Sequence, residues 1–232
     1  MHTLNLLCAG AAQGLVKGLQ DRFRAEAGAE IQARFGAVGA MKEALLAGEP
    51  CDVMVVTAAM IDSLVAQGRM RAGSTAGLGR VRTGVAVQRG AVHPDVATPD
   101  GLKAALLAAS AIYFPDPVRA TAGIHFANVM QQLGIHDQLQ PRLRTYPAGA
   151  IAMREMAASK DVGLIGCTQV TEILYTEGVE LVGVLPAVFE LATGYTAAIS
   201  SHCAQPELAA RFIALLSGAD TQALRAAGGF ES

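Results

Sequence analysis

Apolar positions recur along this chain in two alternating rhythms. Thr3–Cys8 is a short apolar run and predicts a strand. Leu15, Leu19 and Phe23 follow at helical spacing, and Gly28 marks the stop. Ile31, Ala33 and Phe35 alternate as a strand, and Met41, Ala44, Leu45 and Leu46 predict a helix ending at Gly48. Val53-Met54-Val55-Val56 has the unbroken apolar character of a strand covered on both faces, and Met60, Leu64 and Val65 mark the next helix. This strand–helix alternation predicts a parallel sheet with helices packed on it.

The second half repeats the rhythm. Val81, Val85 and Val87 predict a strand, and Thr98-Pro99 opens a helix with a capping hydroxyl and a first-turn proline. Ala111–Phe114 predicts a strand, the loop Pro115-Asp116-Pro117 follows, and a helix is expected from Thr121 to Leu133. Further strands are expected at Leu143–Tyr146, Val162–Ile165, Val179–Leu185 and Phe189–Ile199. Helices are expected at Ile151–Met156, around Val170–Leu174, and at Glu207–Leu216 and Thr221–Ala227. The pattern predicts two α/β lobes, one made of residues 1–82 and 194–232, the other of 83–193. Each would carry a mostly parallel sheet flanked by helices, with a ligand cleft between them.

Composition narrows the chemistry. The 232 residues are 52% apolar and only 16% charged, which excludes disorder and predicts a well-filled core. A formal charge of −2 leaves no basic excess for nucleic acid, and the absence of tryptophan removes the best stacking surface. No run approaches the roughly 20 apolar residues of a membrane span. The longest candidate, Ala104–Phe114, contains Ser110 and stops at Pro115. Leu6-Leu7-Cys8-Ala9-Gly10 lacks the basic flank and long apolar run of an export signal, so a cytoplasmic location is expected. A signal removed ahead of this sequence would make the location periplasmic. Cys8, Cys51, Cys167 and Cys203 form no paired-cysteine motif, so neither a metal nor another cofactor is expected.

The most informative feature is a recurring junction of small residues where a strand opens into a helix. Gly10-Ala11-Ala12-Gln13, Val38-Gly39-Ala40, Thr121-Ala122-Gly123 and Ala148-Gly149-Ala150 all have this form. A helix N-terminus offers amides with no intrahelical acceptor and a partial positive charge, and small side chains let an anion approach them. The same residues also permit tight helix–strand packing. In an open α/β sheet such loops line the ligand crevice.

On these junctions the chain resembles the type II periplasmic binding proteins, in particular the molybdate-binding branch. The resemblance spans nearly the whole chain. It rests on Ala9-Gly10-Ala11-Ala12, Gly36-Ala37-Val38-Gly39-Ala40, Cys51-Asp52-Val53-Met54-Val55-Val56, Asp116-Pro117 through Gly123, and Val162-Gly163-Leu164-Ile165-Gly166. It implies that fold and a small bound anion. Molybdate binders carry serine hydroxyls at the first two loops, whereas this chain places Ala11, Ala12 and Gln13, and Ala37, Val38 and Gly39, there. Each lost hydrogen bond to a charged group costs roughly 1.5–3 kcal/mol, so the resemblance points away from molybdate. Arg119 offers a planar fork suited to a carboxylate. A branch resembling aconitate isomerase acts on unsaturated tricarboxylates. That implies a cytosolic isomerase of an unsaturated di- or tricarboxylate. The alternative is a non-catalytic solute-binding protein, serving an importer permease or acting as a cytosolic anion sensor.

Candidate acid–base groups are His125, one turn into a helix that starts at a junction, Cys8 at the end of the first strand, and Tyr113 near the end of another. Each has a packing role as the competing expectation. Tyr146 and Cys167 are weighed in the same way. Thr168 could donate to an anion or cap the short helix that follows, Asp116 could set the turn after Pro115, and Glu172 is expected to face solvent.

Overall fold

A computed structural model describes residues 2–232. The chain divides into two compact units, Met1–Val81 with Thr193–Ser232, and Arg82–Ala192.

The first unit is built on β1 (His2–Ala9), β2 (Ala29–Gly36), β3 (Val53–Thr57) and β9 (Ala192–Ile199), in the order β2-β1-β3-β9. β1 pairs in parallel with β2 from His2↔Ala29 to Ala9↔Gly36, and with β3 from Leu6↔Val53 to Cys8↔Val55. β9 is antiparallel to β3, from Val53↔Ile199 to Thr57↔Tyr195. The helices are α1 (Gln13–Ala27), α2 (Val38–Leu46), α3 (Ala58–Ala66), α9 (Pro206–Ser217) and α10 (Gln222–Ala227). Val53–Val56 are fully buried, as expected of a strand covered on both faces. α1 ends where Gly28 takes φ 63°, a left-handed C-cap that donates its N–H to the Arg24 carbonyl. Phe23 of α1 meets Phe212 of α9 edge-on, with ring centroids 4.9 Å apart.

The second unit holds β4 (Ala76–Gln88, entering from the first unit), β5 (Ala111–Pro115), β6 (Leu143–Tyr146), β7 (Leu164–Gln169) and β8 (Val179–Val184). β5 lies parallel to both β6 and β7, and β4 runs antiparallel to both β7 and β8. α4 (Pro99–Ala108), α5 (Thr121–Gln132), α6 (His136–Leu139), α7 (Gly149–Ala158) and α8 (Val170–Tyr175) complete it. Strand alternation sorts the core into two layers. Ile112, Phe114, Ile165 and Cys167 pack with Leu102 and Leu106 of α4 and Phe126 and Met130 of α5. Ala111, Tyr113 and Leu164 pack with Ala152, Met153 and Met156 of α7 and Ile173 of α8.

Three boundaries depart from expectation. The strand expected at Val162–Ile165 begins at Leu164, because Gly163 takes φ 72° and Val162 is exposed; it then continues through Gln169. The strand expected from Phe189 begins at Ala192, since Ala187–Phe189 forms a tight 3-10 turn. β4 starts five residues before Val81, drawn out by reciprocal backbone bonds of 2.7 Å between Arg80 and Glu231 near the C-terminus.

Candidate functional site

In the first unit, the strands deliver small residues to helix starts that no side chain caps. Ala9 leads into a 3-10 turn over Gly10–Ala12, and Gln13 then starts α1. Gly10, Ala11, Ala12 and Gln13 are all buried. After β2, Ala37 is the N-cap of α2 and has no side chain able to cap. The first helical bond runs from the Met41 N–H to the Ala37 carbonyl, 3.0 Å, so the Val38, Gly39 and Ala40 amides precede the helix's own bonding. Thr57, the N-cap of α3, makes no side-chain cap either. Thr57 was not singled out in the sequence; a hydroxyl directly before Ala58-Ala59-Met60 is the signal that marks it. The chain does supply caps elsewhere. At α4, Thr98 Oγ1 accepts from the Gly101 N–H at 3.0 Å, with Pro99 in the first turn.

Cys8 is not available as a nucleophile. It is wholly enclosed, its thiol donates to the Ala9 carbonyl at 3.3 Å, and burial pushes its pKa far up, so no thiolate forms. Cys167 is buried with the same consequence.

In the second unit, Asp116 sets the loop after β5. Its Oδ1 accepts from the Val118 N–H at 2.7 Å and the Arg119 N–H at 3.1 Å, and its carbonyl accepts from the Ala120 N–H at 3.1 Å. This turn leaves the Arg119 side chain exposed and delivers Ala120 as the uncapped N-cap of α5. The Thr121, Ala122 and Gly123 amides precede the first helical bond, from the Ile124 N–H to the Ala120 carbonyl at 2.9 Å. Gly123 is sterically required, because a Cβ there would overlap the Pro115 and Asp116 carbonyl oxygens. His125, half-buried one turn on, places Nε2 2.7 Å from the Phe189 carbonyl. That contact requires a proton on Nε2, so only Nδ1 is left to accept one.

Tyr113 is corrected from strand end to core. It is the third residue of β5, buried beneath α7 beside Met153 and Met156, and stacked on Tyr146 with centroids 5.8 Å apart and planes 8° from parallel. Burial pushes the Tyr146 phenol up.

The largest correction concerns Glu172. It is buried, not solvent-facing. Its carboxylate accepts from Thr168 Oγ1 at 2.5 Å and the Ala150 N–H at 3.2 Å, and also from the Gly149 and Gln169 amides. One carboxylate thus sits at two helix starts. It answers Gln169, the N-cap of its own helix α8, as the third-residue half of a capping box, and it closes the first turn of α7. Burial pushes its pKa up, and the four donors offset part of that rise. Two of the three amides expected to meet a solute at Ala148-Gly149-Ala150 therefore serve the protein's own carboxylate. Thr168 donates to that same carboxylate. The Gln169 amide group and the Thr83 and Thr171 hydroxyls are buried with no protein partner, and Thr83 and Gln169 are register neighbours in β4 and β7. Among the described residues no cluster of histidine, cysteine or carboxylate side chains could hold a metal, and no helix is long and apolar enough to cross a membrane.

Comparison with known proteins agrees with this architecture. The family model of bacterial extracellular solute-binding proteins matches residues 4–231. The chain is 25% identical over 227 residues to an aconitate isomerase from a Pseudomonas species, an alignment covering 94% of this chain and 83% of that protein. It superposes on the periplasmic molybdate-binding protein of Azotobacter vinelandii with a TM-score of 0.80 at 20% identity, covering 99% of both chains. On the sulfate-binding protein SubI of Mycobacterium tuberculosis H37Rv the TM-score is 0.74 at 17% identity, over 99% of this chain and 86% of that one.

Proposed function

The chain belongs to the bacterial extracellular solute-binding protein family, and on that premise we propose that it binds a small organic anion of the di- or tricarboxylate class. One observation carries this reading. The first-turn amides of α2 and, separately, of α5 precede the helix's own bonding and stand among small residues, Ala37-Val38-Gly39-Ala40 and Ala120-Thr121-Ala122-Gly123; the missing side-chain cap itself is shared by every α-helix of the described residues except α4. Backbone amides at a helix start among small residues are donors that suit a carboxylate. The scarcity of hydroxyls at the first two junctions weighs against an inorganic oxyanion. Arg119 stands at the start of α5 and can add a charge-assisted fork.

A second reading, isomerisation of an unsaturated carboxylate, is supported by the relative that carries the name aconitate isomerase, at 25% identity over 227 residues. It calls for a base that removes a proton beside the carboxylate and returns it at the other end of the shifted double bond. Cys8 and Tyr113 lie in the core, so that base would be His125 acting through Nδ1, with Nε2 held by Phe189.

The test is a melting screen against cis- and trans-aconitate, citrate, succinate, sulfate and molybdate, followed by proton NMR of each ligand that binds. Ligand at a hundredfold excess over Kd adds about 2.7 kcal/mol, which raises the Tm of a chain this size by roughly 5–10 °C. A carboxylate that raises Tm and is recovered unchanged is the result expected of a binding protein. Recovery of its isomer establishes the enzyme. A rise with molybdate or sulfate alone refutes the carboxylate reading.

A further inference from the structure

We propose that Thr83 and Gln169 are specificity-determining residues that read a hydroxyl on the bound carboxylate, so that the ligand is a hydroxycarboxylate. The proposal rests on the anion reading of the α5 start and stays within the second unit. Thr83 and Gln169 face each other across the β4–β7 ladder. Thr83 is 1% and Gln169 3% exposed, yet the Thr83 hydroxyl and both polar atoms of the Gln169 carboxamide bond no protein group. The Thr83 backbone is bonded: its N–H donates to the Leu191 carbonyl and its carbonyl accepts from the Leu185 N–H, each at 3.2 Å. Enclosed polar atoms without a partner destabilise a fold, so a pair of them on one face calls for a partner from outside the chain. Alternation fixes the face on which the pair lies. Two residues along the same ladder, Val85 pairs with Cys167, and both pack with Phe126 and Met130 of α5. Thr83 and Gln169 are the next pair on that face. β7 runs parallel to β5, so its last residue, Gln169, lies at the sheet edge from which α5 departs. The first turn of α5 sits close on the end of β5 there, since a Cβ on residue 123 would overlap the Pro115 and Asp116 carbonyl oxygens. The Thr121, Ala122 and Gly123 amides of that turn precede the first helical bond and suit a carboxylate. A carboxamide offers a donor and an acceptor, and a hydroxyl offers both. A carboxylate uses only the donors. A hydroxyl beside it uses both kinds, giving its proton to Gln169 Oε1 or Thr83 Oγ1 and accepting from Gln169 Nε2. Both side chains are neutral, so the group that suits them is neutral as well; a buried ammonium would call for a carboxylate partner.

The experiment measures calorimetric binding to the full chain of two matched pairs, malate with succinate and citrate with tricarballylate. The members of each pair differ only in the hydroxyl. The expected result is that the hydroxylated member of at least one pair binds the wild type at least about tenfold more tightly. Thr83→Val and Gln169→Met keep the approximate shape and remove the polar atoms, and each should bring that ratio below about threefold. The unliganded Tm is the second readout: the removed atoms have no protein partner, so each variant should melt no lower than the wild type. If one variant does not melt cooperatively, the other decides. A wild-type ratio near one, or binding of aconitate and the hydroxyl-free acids alone, overturns this proposal and leaves the anion reading standing. So does a ratio that survives the substitutions; paired with a lower Tm, it marks an enclosed water of the fold only. Absence of binding by these four acids and by cis- and trans-aconitate overturns the two together.

Discussion

Gly149→Ala tests the packing of the α7 start in a way that opposes ordinary propensity. Alanine replaces glycine at the first residue of a ten-residue helix, a change worth up to about 1 kcal/mol in favour of the folded state from helix propensity alone. Here the new methyl group would fall on Thr168 Oγ1 and the Glu172 carboxylate. Neither is the far end of a mobile chain: both are buried and bonded to each other. To admit the methyl, the Thr168–Glu172 bond must open or α7 must lift from β7. Losing a hydrogen bond to a charged group costs about 1.5–3 kcal/mol, and overpacking a filled site costs about 1–3 kcal/mol. Where both costs are incurred, the net after the propensity gain is destabilisation of roughly 1.5–5 kcal/mol. The control is Gly18→Ala, mid-helix in α1 and exposed, where the nearest atom to the new Cβ is Leu224 Cδ2 at an ordinary 3.9 Å. That variant gains about 0.5–1 kcal/mol. Urea unfolding at pH 7 followed by circular dichroism measures both. A Gly149→Ala protein as stable as the wild type, or a Gly18→Ala protein that loses as much as Gly149→Ala, refutes the reasoning.

Two further outcomes follow from burial. Glu172 has a folded-state pKa above its ordinary value, so the folded state holds that proton more tightly than the unfolded one. The resulting stability is fully present below the ordinary glutamate pKa and is lost as pH rises through the raised folded value. Melting from pH 4.5 upward should therefore show a wild-type decline that Glu172→Gln lacks, and superimposable pH profiles for the two proteins would contradict this. In native protein at pH 7.5, a small aromatic disulfide reagent should leave Cys8 and Cys167 unmodified and reach them only in denaturant, because both thiols are enclosed and held protonated by burial; rapid native modification of either, read by peptide mass spectrometry, would contradict it.

Much of the fold is legible from local signals. Val53–Val56 reads as a doubly covered strand from its unbroken apolar run, and Thr98-Pro99 reads as a helix start because a hydroxyl and a fixed φ do the same work in any context. The site is less legible because its decisive contacts are non-local. Glu172 looks exposed from its type and its short helix, yet its partners Gly149 and Ala150 lie 23 and 22 residues upstream on another helix. The spacing of Gln169 to Glu172, an N-cap followed by a third-residue acid, is the signal that could have found half of this arrangement. Tyr113 was misplaced for a different reason. Period-two alternation assigns it to the face opposite Ile112 and Phe114, and only the position of α7 reveals that this face is core rather than rim.

Small residues at a helix start are therefore two signals that share one spelling. Gly123 is small because two carbonyl oxygens crowd it, and Gly149 is small because the protein's own carboxylate and hydroxyl occupy the space a side chain would take. Neither fact concerns a ligand. What separates a ligand-facing junction from a packing one is the fate of the first-turn amides. At α7 they are consumed by Glu172, and at α4 by Thr98. At α2 and α5 the N-caps are Ala37 and Ala120, which have no polar atom to offer. Thr98 and Glu172 show that this chain can close a helix start both locally and from a distance. Alanine at positions 37 and 120, just ahead of glycine-containing first turns, withholds a cap whose loss typically costs about 1 kcal/mol per helix. The proposed anion reading, taken for each start by itself, rests on that cost: an anion bound there would supply the missing acceptor, and its binding energy would be drawn from amides the fold leaves unmatched.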